Sequence, residues 1–273
     1  MIGTADPIIE KMRAYSGAVD ARRLTRAFEF GKRAHHGQMR ASGEPYFTHP
    51  VAVANILVDM RLDEESIITA LLHDTVEDCE VTLDTLHTEF GGDVAQLVDG
   101  VTKLSRLAIG ALPSSAQAEN FRKLLMAMSE DVRVLMVKLA DRTHNMRTLS
   151  FIPKPEKRHR IARETMDIYA PLAERIGLTK LQTEREDSAF EVLNGDMRQS
   201  ILTRLEFLTS EAKLTIPTIS VELQSTIERA GIECSVTGRL KSPYSIWRKM
   251  QNKAVTMDQL ADIVAFRVLV PTK

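Results

Sequence analysis

Residues 71–78 read Leu-Leu-His-Asp-Thr-Val-Glu-Asp: a histidine and an aspartate, then two more carboxylates one helical turn later, in an otherwise apolar run. Unpaired charge is costly to bury, so these groups need a partner, and a divalent metal ion is the natural one. On a helix spanning 64–78, His73 and Glu77 lie four apart and share a face, with Asp74 and Asp78 as the adjacent stripe. Two further polar clusters stand in apolar settings, Phe47-Thr48-His49-Pro50 and Lys138 through Arg147. Each adds one candidate ligand, His49 and Asp141. Imidazole plus carboxylate ligation without cysteine suits Mn, Fe, Zn or Mg, and the weight of aspartate favours harder ions such as Mn. The set His49, His73, Asp74 and Asp141 leaves room for water and substrate. A metal so held acidifies water and neutralises charge on a phosphoryl oxygen; Glu77 and Asp78 then orient that water and carry its proton. Local spacing alone leaves a plainer reading open, a satisfied core histidine beside a solvated helix end.

The elements that must position these groups are helical. Asp20 precedes an amphipathic run that stops at Gly37, Pro50 sits in the first turn of the next helix, and Asp63 caps the run carrying His73. Further helices are expected at 82–90, 93–104, 116–129, 131–148, 156–176 and 180–193 from apolar residues at three- and four-residue intervals. Ser105 to Ser115, with Gly110 and Pro113, reads as a mobile loop. Leu124–Met128 follows helical spacing and reads as core. His35-His36 reads as helix-end surface, because adjacent helical residues diverge by about 100°. His87 and His159 lack supporting neighbours, and Cys79 is assigned no role. After Asn194-Gly195 the pattern changes to helices at about 197–212 and 218–230, with β-like runs at 232–238 and 263–270. Residues 1–195 therefore read as an all-α domain and 196–273 as linker helices plus the start of an α/β domain. The run from Ile263 to Val270 reads as a core strand needing more neighbours than these residues supply, which suggests a fragment cut inside its second domain.

Composition supports a helical, soluble, cytoplasmic protein. Of 273 residues 44% are hydrophobic, 27% charged and only 5% aromatic. Cys79 and Cys234 are too far apart in sequence to suggest a disulfide framework or zinc ribbon, and no apolar run approaches the ~20 residues that span a bilayer. Net charge is −1, yet residues 201–273 hold 10 basic and 7 acidic residues against 26 and 30 before them. No direct nucleic-acid partner is expected. Arg40-Ala41-Ser42-Gly43-Glu44-Pro45-Tyr46 is a turn rich in ligand-holding groups, and Asn145, Arg147 and Thr148 lie one or two turns past Asp141.

His49-Pro50, the His73-Asp74…Glu77-Asp78 box, Val98-Asp99-Gly100-Val101-Thr102-Lys103, Ala118 to Lys123 and Lys138 to Leu149 together resemble the long RelA/SpoT-homologue enzymes. These make and destroy the alarmones guanosine tetra- and pentaphosphate, and their N-terminal part is a helical HD-type hydrolase using Mn(II). The resemblance implies that His49, His73, Asp74 and Asp141 hold the metal while Glu77 and Asp78 assist the water. Arg40, Ser42, Asn145 and Thr148 would hold the guanosine part, with Lys103 near the phosphates. Pyrophosphate would leave the 3′ position, returning GDP or GTP in the stringent response. Ala41 departs from the family, which often has a basic residue there.

Residues 237–250 are similar to the start of the family's synthetase, an α/β nucleotidyltransferase-like domain that transfers pyrophosphate from ATP. There Arg239, Lys241 and Lys249 would face phosphates and Asp262 would hold Mg(II). The family's later catalytic groups lie beyond Lys273, so no alarmone synthesis is expected from these residues. The resemblance also implies ribosomal or regulatory partners for the family's C-terminal domains. Two rival readings are an HD-type phosphohydrolase of other nucleotides and a catalytically silent alarmone-binding module.

Overall fold

Every residue from Ser66 to Leu72 is buried, and that run forms the central helix of the first part of the chain. A helix apolar on all sides belongs in a core. Our computed structural model describes residues 3–106, 131–212, 215–260 and 263–271; the expected helix at 116–129, most of the 105–115 loop and Asp262 lie outside them. Two compact units result, Met1–Arg185 and Glu186–Lys273.

Among its described residues the first unit is helical, apart from an isolated bridge between Met39 and Pro45. It comprises α1 (Asp6–Arg13), α2 (Ala21–Ala34), α3 (Thr48–Asp59), α4 (Glu64–Leu72), α5 (Thr75–Asp78), α6 (Leu83–Phe90), α7 (Gly92–Arg106) and α8 (Val132–Arg147). After these come α9 (Pro155–Glu164), α10 (Ala170–Arg175) and the start of α11 (Thr179–Leu193). The expected caps are in place: Asp20 accepts from the backbone N–H of Arg22 and Arg23, and Asp63 from that of Ser66. Helix α4 packs against α2, α3, α7 and α8. Its crossing with α2 is so close that a Cβ on Gly31 would lie 2.6 Å from Phe47 Cε2 and 2.7 Å from the Leu71 carbonyl oxygen. The long amphipathic helices thus surround the end of α4, where His73 stands.

Three expectations for this unit need correction. The helix expected over 64–78 breaks at the His-Asp pair, with His73 ending α4 and Asp74 preceding the one-turn α5. Side chains compete for the carbonyls of that last turn: His73 Nδ1 lies 2.8 Å from Ala70 O, and Thr75 Oγ1 donates to Leu72 O at 2.7 Å. The helix expected over 156–176 is interrupted by a π-helical turn at Thr165–Tyr169. Pro171, which has no N–H and clashes with the preceding turn, follows directly. His35, read as surface, is 3% exposed: its ring stacks on Tyr46 with centroids 4.8 Å apart, and its Nδ1 lies 2.8 Å from Gln38 Oε1. Only His36 faces solvent.

The second unit takes up the end of α11 and adds α12 (Gly195–Ala212), α13 (Thr215–Arg229), β1 (Ser235–Leu240), α14 (Pro243–Lys253) and β2 (Val264–Leu269). Phe190, Tyr244 and Trp247 form an aromatic cluster with centroids 5.1–5.8 Å apart. The strands pair antiparallel, Ser235 opposite Leu269 and Leu240 opposite Val264. The run expected to be a core strand is only half covered, with Val268 42% and Leu269 58% exposed. Among the described residues β1 is its one hydrogen-bonded neighbour. No described helix is long and apolar enough to cross a membrane.

Candidate active site

His49 enters from α3, His73 from the end of α4, Asp74 from the break before α5, and Asp141 from the middle of α8. His49, His73 and Asp141 each offer a ligand atom within 4.8 Å of the others, and all three are buried. His49 Nε2 stands 3.2 Å from Asp141 Oδ1 and 3.7 Å from Asp74 Oδ2, while His73 Nε2 faces Asp74 Oδ1 at 3.1 Å. The backbone at Ala70 occupies His73 Nδ1, so a proton there leaves the Nε2 lone pair free. That Nε2 is buried and has no hydrogen-bond partner, although Asp74 Oδ1 stands 3.1 Å away. An orphaned buried nitrogen among two carboxylates and a second imidazole fits a divalent cation, and the donor set is of the kind that binds one.

The carboxylates are held from outside the cluster. Asp141 Oδ2 accepts from Lys138 Nζ at 2.7 Å and Oδ1 from Asn145 Nδ2 at 2.5 Å. Burial would raise the Asp141 carboxyl, but the Lys138 ammonium and His49 outweigh it and hold it well below the usual carboxylate range. The same pairing overcomes burial at Lys138 and raises its ammonium. Tyr46 Oη lies 2.8 Å from Asp74 Oδ2 and 2.9 Å from Asp78 Oδ2; burial, with those carboxylates, pushes its hydroxyl strongly up, so it stays a donor. Glu77, at the exposed mouth, is raised by partial desolvation although Lys138 and Ser105 pull the other way. A carboxylate so raised is a better proton acceptor than an ordinary one.

His49, Asp74 and Asp141, with Tyr46, Lys138, Glu77 and Asp78, line a cavity of about 540 Å³ that also includes Arg40, Ser42, Asn145 and Thr148; His73 lies behind that lining. Arg40 donates to Asn145 Oδ1 at 3.3 Å and to Thr148 Oγ1 at 3.1 Å. Asn145 thus bridges Arg40 to Asp141. Lys103 is not among the lining residues; its ammonium meets Asp99 at 2.6 Å, one turn back on α7. Arg239 is exposed on β1, Lys241 follows the end of that strand, and Lys249 lies on α14.

Sequence reasoning passed over Lys138, Tyr46, His144 and Glu164. Lys138 and His144 stand three residues either side of Asp141, a spacing that shares its helix face. Tyr46 carried no such signal, because it reaches Asp74 across 28 residues. Glu164 also lines the cavity, taking Arg160 at 2.7 Å and Arg142 at 3.3 Å.

A model of the HD domain matches residues 27–179, more than half of the chain, so the chain belongs to the HD-domain family. Residues 238–273 match the region found in RelA/SpoT proteins, and the resemblance drawn from the motifs holds. The chain is 46% identical over 265 residues to a GTP pyrophosphokinase rsh of Brucella melitensis, covering 97% of this chain and 35% of that protein. It is 48% identical over 249 residues to the bifunctional (p)ppGpp synthase/hydrolase SpoT of Escherichia coli K12, covering 91% and 35%. A solved structure of a metazoan ortholog of SpoT matches at 22% identity and a TM-score of 0.43, over 67% of this chain and 98% of that one. The chain spans about a third of the length of these curated relatives.

Proposed function

We propose that the first unit is an Mn(II)-dependent hydrolase that removes pyrophosphate from the 3′ position of guanosine 3′,5′-bis(diphosphate) and its pentaphosphate analogue, returning GDP or GTP. The observation that carries this reading is one cavity lined both by His49, Asp74 and Asp141, with buried His73 clustered against His49 and Asp141, and by the Arg40–Asn145–Thr148 wall. A relative whose name includes (p)ppGpp hydrolase, 48% identical over this region, supports the substrate.

His49, His73, Asp74 and Asp141 would hold the cation, which supplies charge neutralisation at the phosphoryl group and a more acidic water when bound. Glu77 accepts the proton of the attacking water, and Asp78, fixed by Tyr46, orients it. The bond between the 3′ oxygen and its phosphorus breaks, and that oxygen takes up a proton to become the 3′ hydroxyl. Arg40, with Asn145 and Thr148, holds the nucleoside so that the 3′ diphosphate reaches the cluster. Ser42 stands on the same wall, whereas Lys103, 70% exposed, is left a peripheral role at most. In the second unit Arg239, Lys241 and Lys249 are proposed to face phosphates, with Mg(II) at Asp262 in longer relatives. The protein is proposed to act in the cytoplasm, where longer relatives would meet ribosomal or regulatory partners.

The test is pyrophosphate release from the alarmone by the purified chain with Mn(II), beside Asp74→Ala and Glu77→Ala. Release lost in both variants is expected. No release by the unmutated chain overturns the reading, and equal release from nucleoside monophosphates moves the substrate to other nucleotides.

A further inference from the structure

His49 and His144 approach each other through the same ring atom, Nδ1 to Nδ1 at 2.7 Å. That contact holds one proton, so two neutral patterns exist. In the first, His49 carries the proton on Nδ1, donates it to His144, and keeps a bare lone pair on Nε2. In the second, His144 is the donor and His49 carries its hydrogen on Nε2, 3.2 Å from Asp141 Oδ1. Only the first leaves Nε2 able to bind a cation.

We propose that His144 is the positioning residue of this centre: by accepting the His49 Nδ1 proton it sets the tautomer in which His49 presents Nε2 to the metal. This rests on the metal site proposed above. His144 sits on α8 one turn beyond Asp141, so the helix that supplies one ligand also orients another. His73 makes a useful contrast, because its Nδ1 faces a backbone carbonyl, which can only accept. An imidazole partner can donate or accept, so His144 holds His49 in the metal-binding tautomer only as the acceptor, with its own hydrogen on Nε2. On loading, the Nε2 proton of His49 leaves to water, the Nδ1 proton of His144 passes to His49, and His144 takes one proton at Nε2. Protons balance across the pair.

The experiment uses the full chain with ¹⁵N-labelled histidine and Zn(II), a diamagnetic probe, and reads ring tautomers from two-bond ¹H–¹⁵N correlations. His49 protonated at Nδ1 and His144 at Nε2 is the expected result; a loaded site with His144 protonated at Nδ1 overturns the proposal. In parallel, Mn(II) affinity is measured without nucleotide. His144→Ala is expected to weaken it about 10- to 100-fold. His144→Asn, whose amide oxygen can stand near the lost Nδ1, is expected to restore most of it. Unchanged affinity in His144→Ala, or equal loss in both variants, refutes the role. Neither readout needs the alarmone: an inactive chain showing the expected tautomers and affinities sinks the hydrolase reading while sustaining this one.

Discussion

The His-Asp cluster of the first unit and the basic strand of the second both gather charge, but they are built differently. His49, His73 and Asp141 are at most 5% exposed, and each has an outside partner that fixes it: His144, the Ala70 carbonyl and Lys138. Arg239 lies exposed on a two-stranded sheet whose second strand leaves Leu269 58% exposed. Desolvated charges interact strongly and tolerate little error; exposed ones are screened. The first region is therefore where substituting one charged group should change both chemistry and stability, and the second where such a substitution should change little.

The hardest blow to that contrast would be a mild Asp141→Ala. It removes a proposed ligand and strands Lys138, so pyrophosphate release should vanish and urea unfolding should show a loss of about 3–5 kcal/mol. Adding Lys138→Met should recover much of the stability and none of the activity. Glu77→Gln separates proton transfer from metal binding: kcat should fall about 10²- to 10⁴-fold with Mn(II) affinity unchanged. Affinity falling in step would make Glu77 a ligand instead.

Overpacking probes the two cores alike. Gly31→Ala pushes a methyl into Phe47 and the Leu71 carbonyl, and should cost about 1–3 kcal/mol while weakening Mn(II) binding through the displaced end of α4. Gly238→Ala, where a Cβ would meet Ile216 at 2.6 Å and Phe266 at 2.9 Å, should cost a similar amount and leave Mn(II) affinity intact.

A smaller effect lies in acid. Asp131 is held low chiefly by its hydrogen bond to Arg133, and Asp63, despite burial, by Ser66 and Arg133. Because the folded carboxyls titrate below the unfolded value of about 4, their stabilisation is complete above that value and fades as pH falls through the folded ones. Solvent screens these pairs, so the loss should stay within about 1 kcal/mol, and Arg133→Gln should flatten it in a pH series of melts. Smallest of all, Leu269→Thr should shift stability by no more than about 0.5 kcal/mol; a larger loss would mean that face is covered in solution.

Helix starts were legible because capping is local: Asp20, Asp63 and Asp131 each accept from backbone N–H groups two or three residues ahead. The break at His73-Asp74 was not legible, because a 3.6-residue period runs straight through it and only side-chain donors to Ala70 and Leu72 reveal it. His35 was misread for a related reason. Adjacent histidines diverge on a helix, but which one turns inward depends on Tyr46 and Gln38 beyond the helix end. At the strands the alternation located β2, while its coverage depended on neighbours that no local pattern names.

By itself the sequence determined the donor types, the helical class of the elements around them and the absence of cysteine from the set, since residue chemistry and apolar periodicity are local properties. The tertiary structure alone decided that His49, 92 residues before Asp141, comes within 3.2 Å of it, and that Tyr46 and His144 close the shell around them. It also left His73 Nε2 buried without a hydrogen-bond partner. Those facts depend on how α3, α4 and α8 pack, and helix packing is set by the fit of whole apolar faces, which no single motif records.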